Sequence, residues 1–378
     1  MPSADRVTSV AMFSRRDRIL LGLTVVMFVL AGVLHYATDT AVLNFVVAGA
    51  ALAVLASLVG RSVAALGDRL GPAATGILQS ALGNLPELFV IAFALKAGLD
   101  DVVRATIVGS ILANVLLILG LAFVVGGLKH GKQKFNAEHS RNLSLMLTLA
   151  VLILAIPALT AALHTPAEGH ERELSVLVSV VMLVLFGLSL PATLAKRHVS
   201  EVAAVSPIAR DAGSNEAVRA ASSHGEWPLG VAIGMLAAAG VGAAFVSEWF
   251  VAALQPAMLS LGINEVFAGL IIVAIAGNAV ENVVGIQLMA KNQPDYAVQV
   301  VLQSPVQVAL TIAPIVTLMA PLLGAAAFTL VLSPMLIATL LMSAVVAVLV
   351  VNDGESTWFE GAALIALYLA IAAAFWWG

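Results

Sequence analysis

Apolar residues run through this chain in long stretches separated by short polar interruptions. A helix needs roughly 20 apolar residues to cross the hydrocarbon core of a bilayer. Eleven stretches meet that requirement: 19–36, 41–66, 71–97, 101–128, 141–164, 173–196, 228–252, 262–292, 295–323, 327–352 and 356–377. One polar interval, 197–227, is long enough to be a linker; it is Ser-rich and contains Pro207. The first stretch follows Arg6, Arg15, Arg16 and Arg18, as the core of a signal peptide would. It is long, however, and no small-residue cleavage site followed by a soluble domain comes after it; more apolar runs follow instead, so it reads as a first transmembrane helix. The pattern therefore predicts an all-α integral membrane protein of about eleven transmembrane helices.

Composition sharpens that reading. Hydrophobic residues make up 61% of the 378 and charged residues 11%, whereas a soluble domain is about a quarter charged. Lipid is the simpler solvent for such a surface. The net charge of −4 comes with no basic block of the kind that tracks phosphates, so no nucleic-acid partner is expected. Cysteine is absent, which excludes a disulfide framework, a thiol nucleophile and thiolate metal sites.

The basic residues test the helix count, because loops facing the cytoplasm carry an excess of Lys and Arg. With the N-terminus cytoplasmic, fifteen of the 18 Lys and Arg residues fall on that side, and Lys96, Arg104 and Arg172 on the other. A miscounted helix would scramble this asymmetry. The expected location is a cell membrane, of bacterial inner-membrane type, crossed many times.

The third and eighth stretches share a pattern. Gly83-Asn84-Leu85-Pro86-Glu87 recurs as Gly277-Asn278-Ala279-Val280-Glu281, followed by Asn282. The offset of 194 residues also carries Ser110 onto Ser304; Asn114 and Gln307 follow these serines by four and three positions. The two copies lie five helices apart, an odd number, so they run in opposite directions. Helices 2–6 and 7–11 then form two inverted five-helix repeats, with an extra N-terminal helix. The predicted organisation is an N-terminal segment with the extra helix at 1–40, a first repeat at 41–196, the linker at 197–227 and a second repeat at 228–378. Inverted repeats recur in secondary transporters, with the ion site at the repeat interface near the midplane.

The residues suit a cation. An ionised carboxylate in hydrocarbon costs at least about 2.5 kcal/mol, and neither Glu87 nor Glu281 has a Lys or Arg within a helical turn. Binding a cation or binding protons offsets that cost, and each state excludes the other. A shared site of this kind couples cation movement to proton movement. A hard cation such as calcium takes 6–8 oxygen ligands from carboxylates, amides, backbone carbonyls and water. Asn84 and Asn278 precede their glutamates by three residues and share their helix face. Gly83 and Gly277 permit close approach, and Pro86 leaves a carbonyl without its helical partner. Ser110, Asn114, Ser304, Gln307 and Asn282 make a supporting polar shell, although such residues also serve as interhelical hydrogen bonders.

GNLPELFVIAFALKAG with VGSILANVLLILG, and GNAVENVVGIQLMAKN with SPVQVAL, resemble the paired signatures of the calcium/proton exchangers, within the calcium/cation antiporter superfamily. NDGESTWFEG is similar to the segment between that family's last two helices. The resemblance implies the fold counted above, Glu87 and Glu281 as shared Ca²⁺ and H⁺ sites, Asn84 and Asn278 with nearby carbonyls as helpers, and sliding of helices 2 and 7. Two positions depart from the family. Asn282 stands where many members carry histidine, so a proton role for that histidine is absent. The linker holds only Glu201, Asp211, Glu216 and Glu226 among several basic residues, which leaves cation capture by an acidic helix without support.

The expected function is exchange of cytoplasmic Ca²⁺ for outside protons, with no cofactor. Proton-coupled transport of Na⁺, K⁺ or Mn²⁺ and sodium/calcium exchange are alternatives; the sodium-coupled branch usually has a further acid near the position of Gln307. A cation channel would need a ring of subunits and a re-entrant loop, neither of which is visible. No enzyme is expected, since no His-Glu-x-x-His, Gly-x-Ser-x-Gly or paired aspartates occur.

Overall fold

The computed structural model is a helical bundle. It describes residues 13–70, 82–204, 227–325 and 327–377, with the backbone alone at 67–70, 190–204 and 280–282. In chain order the helices are α1 Arg15–Ala37, α2 Ala41–Leu70, α3 Leu85–Lys96, α4 Asp100–His130, α5 Ala137–Ala162 and α6 Glu171–Ala204. They continue as α7 Leu229–Leu261, α8 Glu265–Gly277, α9 Ala279–Ala290, α10 Pro294–Leu323, α11 Pro334–Val351 and α12 Trp358–Trp376. Among the described residues, nine are long and apolar enough to cross a membrane. These nine, α3, and the α8–α9 pair occupy the eleven predicted stretches one for one.

The departures have local causes. The eighth stretch is two helices, broken at Asn278, whose backbone (φ −102°, ψ 18°) leaves the helical region. Residues 71–81 of the third stretch lie outside the described residues, and α3 begins after a turn at Gly83–Asn84. The tenth was expected from 327, but α11 starts at Pro334: Ser333 caps it, its side chain accepting from Leu336 N, and proline suits a first turn whose N–H has no partner. The segment before it is not helical, and Leu330 N donates to Ser175 Oγ at 3.0 Å. α7 runs nine residues past the expected 252, through Pro256, to a left-handed Gly262. α6 runs on to Ala204, so the first residues of the expected linker are helical; 205–226 lie outside the described residues.

Inter-loop contacts sort the connections into two faces, as eleven crossings require. On one face Asp17 and Arg61 meet at 2.9 Å, and Trp227 Nε1 donates to Asp17 Oδ2 at 3.2 Å. On the same face strand β1 (Gln133–Lys134) pairs antiparallel with β2 (Glu355–Ser356), and Gln133 Nε2 donates to Asn292 Oδ1 at 2.9 Å. On the other face Arg104 Nε donates to Thr329 O at 3.0 Å, and Asn264 Nδ2 to Phe375 O at 2.9 Å. A helix added or lost between any of these partners would put them on opposite sides.

Burial shows which helices are central. The apolar window of α4 is 83% buried and that of α10 is 67%, against 11% for α1; α4 and α10 therefore form the middle and α1 the periphery. α2 and α7 pack along each other, and α1 leans on both. Lipid supplies no hydrophobic drive between helices, so close packing and small residues carry the association. The crossing of α4 and α8 is an instance: a Cβ on Gly109 would collide with the Leu270 carbonyl, and one on Gly269 with the Val102 carbonyl. The two backbones touch through reciprocal glycines, and Ser110 sits beside that contact.

Candidate cation site

The site begins with two matching breaks. Asn84 (φ −96°, ψ 17°) and Asn278 (φ −102°, ψ 18°) have nearly the same backbone, 194 residues apart, and each starts a short helix carrying a glutamate in its first turn. Pro86, with no N–H to satisfy, sits at the start of α3. A π-helical turn follows each signature serine, at Ala113–Ile118 in α4 and at Val308–Ile312 in α10. Turns of this type widen the helix and leave backbone groups off the regular ladder, and they concentrate at functional sites.

Glu87 is 2% exposed and Asn278 fully buried. Glu87 Oε1 accepts from Ser110 Oγ and, at 3.3 Å, from Asn278 Nδ2. Asn278 Nδ2 also donates to Ser110 Oγ at 3.0 Å and to Ala274 O at 3.1 Å. Its Oδ1 accepts from Ser304 Oγ at 3.3 Å and, more distantly, from Asn114 Nδ2 at 3.5 Å. Asn114 Nδ2 is better placed on Ser110 O, at 2.9 Å. Side chains from α3, α4 and α10 thus converge on the break between α8 and α9. Gly277 makes room for them: a Cβ there would lie 3.4 Å from Glu87 Cγ.

Three buried polar atoms have no hydrogen-bond partner among the described residues: Glu87 Oε2 and Asn114 Oδ1 in this cluster, and Asn84 Nδ2 at the break before α3. Two are oxygens of the kind a hard cation takes. The third belongs to an amide whose carbonyl oxygen takes the same place once the group is turned over. Leaving such groups unpaired costs about 1–3 kcal/mol each, so a cluster of them is a place where an ion or proton is stabilising.

Of the residues singled out by sequence, Glu87, Asn278, Ser110, Asn114, Ser304 and Gly277 come together. Asn84 and Gly83 sit at the equivalent break before α3, Asn84 buried and Gly83 half-buried. Gln307 is buried on α10, and its carbonyl accepts from Thr311 Oγ1. Glu281 and Asn282 lie on the first turn of α9, and their side chains are outside the described residues. Thr106, buried with an unpartnered Oγ1 one turn before Ser110, was missed. The four-residue spacing of Thr106, Ser110 and Asn114 in an apolar helix is the signal that would have found it.

Comparison with known proteins bears on the same signatures. A family model described as sodium/calcium exchanger protein matches residues 40–194 and 231–377. The Ca²⁺/H⁺ antiporter ChaA of Bacillus subtilis is 34% identical over 94% of this chain and 97% of its own length. The Ca²⁺/H⁺ antiporter of Aphanothece halophytica is 32% identical over 88% of this chain and 89% of its own. Among solved structures, native YfkE superimposes with a TM-score of 0.76 at 30% identity, covering 96% of this chain and 99% of that one.

Proposed function

The chain belongs to the sodium/calcium exchanger protein family, and from that premise we propose that it exchanges Ca²⁺ for protons across a membrane at a site shared by Glu87 and Glu281. Relatives described as Ca²⁺/H⁺ antiporters, similar over nearly their whole length, support the pair of ions. The observation that carries the site is the contact between the two halves: Glu87 of the first, 2% exposed, takes a hydrogen bond from Asn278 of the second.

In this reading residues 41–196 and 228–378 are the two halves, joined by 197–227. Glu87 and Glu281 are ionised when the site opens to the cytoplasm, which is the face of Arg15 and Arg61. Ca²⁺ binds between them with help from Asn84, Asn278 and carbonyls freed near Gly83 and Gly277. Ser110, Ser304, Asn114, Gln307 and Asn282 hold the carboxylates and amides in place. Ca²⁺ leaves on the opposite face, and the carboxyls return protonated. The hydrogen bonds from Ser110 and Asn278 serve the return: they satisfy Glu87 Oε1 without a metal, so the pocket stays closed around a buried acid. Exchange follows because two positive charges on Ca²⁺ and the carboxyl protons compete for the same oxygens.

Radiolabelled Ca²⁺ uptake into proteoliposomes tests this, driven by an imposed pH gradient or, separately, by a sodium gradient. Uptake that follows the pH gradient and vanishes with a protonophore is the expected result. Uptake with sodium alone overturns proton coupling. No Ca²⁺ uptake, with pH-driven uptake of Na⁺, K⁺ or Mn²⁺ instead, overturns the choice of cation.

A further inference from the structure

We infer that the start of α1 is a binding site for the headgroup phosphate of an anionic phospholipid, formed by Arg15, Arg16 and Arg18. α1 meets the rest of the protein along a narrow stripe, in which Asp17, Thr24 and Ala31 are the buried positions, seven residues apart. The opposite face is open and apolar: Ile19 is 60% exposed, Val26 60% and Val33 56%. In an integral membrane protein that face lies against acyl chains.

The depth of the arginines follows from the helix itself. Tyr36, 78% exposed, ends the apolar face in the way aromatic residues mark a membrane–water boundary. Arg18 lies eighteen residues earlier, about 27 Å at about 1.5 Å per residue, against a hydrocarbon core of about 30 Å. Arg18 therefore stands at the opposite headgroup level, and Arg16 and Arg15 lie two and three residues farther out.

Among the described residues, nothing neutralises the charge there. Arg15, Arg16 and Arg18 are exposed, and none forms an ion pair among the described residues. Asp17 is the carboxylate nearest in sequence within α1, but it is 2% exposed and points inward, held by Arg61 at 2.9 Å and by Trp227 at 3.2 Å. Its burial separates it from its basic neighbours. What remains is three guanidinium forks at phosphate depth, directly above a surface that accepts tails. Guanidinium pairs with phosphate through two parallel hydrogen bonds. The combination fits an anionic lipid, whose acyl chains can lie on that surface; free phosphate has none.

The test uses the full-length protein in mixed micelles with equal phosphatidylglycerol and phosphatidylcholine, with retained lipids counted by native mass spectrometry. Wild type is expected to retain phosphatidylglycerol preferentially. Each arginine near an anionic surface contributes roughly a fivefold preference, so Arg15→Gln/Arg16→Gln/Arg18→Gln should lose on the order of a hundredfold. The triple Lys variant keeps the charge without the paired N–H donors and should fall between wild type and the triple Gln variant. The proposal is overturned if wild type shows no preference, or if a triple Gln variant that melts like wild type retains phosphatidylglycerol equally. Displacement of the lipid by inorganic phosphate would equally reject it, by revealing a general anion site. Should the triple Gln variant fail to fold, the single Gln variants read the fivefold steps, and their absence overturns the site.

Discussion

Asn278 and Glu87, 191 residues apart in the chain, are joined by a buried hydrogen bond of 3.3 Å from the amide of one to the carboxyl of the other. The asparagine lies at the helix break of the second half and the glutamate one turn past the matching break of the first. On the proposed reading of two halves, this contact joins a signature residue of one half to a signature residue of the other. On that reading, a displacement of one half against the other would change the site, as the proposed exchange requires.

The first prediction concerns the carboxyls. Glu87→Gln keeps the shape of Glu87 and its contacts with Ser110 and Asn278 but cannot ionise. On the proposed mechanism its pH-driven Ca²⁺ uptake falls to background, as does that of Glu281→Gln, while melting temperature and elution volume stay close to wild type. Substantial uptake by either folded variant refutes the shared site.

Asn278 carries a second prediction. Its amide donates to Glu87, Ser110 and Ala274 and accepts from Ser304. Asn278→Ala leaves several buried groups with a lost partner, at about 1–3 kcal/mol for such a loss. A melting temperature several degrees lower and weaker apparent Ca²⁺ affinity are expected. Asn278→Asp should not restore the stability lost on truncation, because a carboxylate cannot donate to Glu87 or to Ala274 O and sets a second carboxyl beside Glu87; the same thermal scans measure it.

How much of this was legible in the sequence depends on what each feature rests upon. The spans were readable because lipid imposes length and apolarity on each helix by itself. Glu87, Ser110 and Ser304 could be paired across the chain because their spacing repeats. The break at Asn278 was hidden, since a single polar residue in an apolar run does not reveal a backbone that leaves the helix. The non-helical segment before Pro334 was hidden for the opposite reason, its Phe328, Leu330 and Leu332 being as apolar and as buried as a helix core. The Asp17–Arg61–Trp227 cluster joins residues up to 210 positions apart, and nothing in local pattern announces it.

That cluster supports a third prediction. Arg61 pairs with Asp17, and its guanidinium also lies 4.8 Å from the Trp227 ring centre. Asp17 is 2% exposed, so removing its cationic partner strands a buried charge. Arg61→Leu should cost on the order of 3 kcal/mol, read as a lower melting temperature. Asp17→Asn in the same background should recover part of the loss, because it removes the stranded charge. A double-mutant cycle with no coupling would show that the pair contributes nothing.

A fourth prediction follows from the backbone contact between α4 and α8. Gly109→Ala places a methyl group against the Leu270 carbonyl, and no rotamer change can relieve a clash with backbone. Overpacking of this kind costs about 1–3 kcal/mol or more. It also shifts α4 at Ser110, the residue that holds Glu87. Gly109→Ala is therefore expected to lower both melting temperature and uptake, whereas Gly22→Ala, with nothing near its Cβ, should alter neither.

The last prediction concerns pH and the small sheet that ties β1 to β2. Lys132 and Glu355 form an ion pair there, and Lys134 stands 3.4 Å from the same carboxyl. The Lys132 hydrogen bond holds the Glu355 carboxyl below its ordinary value of 4.5, and the same bond raises Lys132 above 10.5. A carboxyl depressed in the folded state adds stability above its unfolded pKa and loses it as pH falls through the folded one. For the raised lysine the sign reverses: its contribution is whole below 10.5 and is lost as pH climbs through the higher folded value. The stability difference between wild type and Glu355→Gln should thus be flat from about pH 5 to about pH 10 and fade at both ends. Because Lys132 is 55% exposed, added salt should shrink the difference across the plateau. Thermal scans of both proteins across that range check it, and a gap that widens toward acid would assign the effect to something other than this pair.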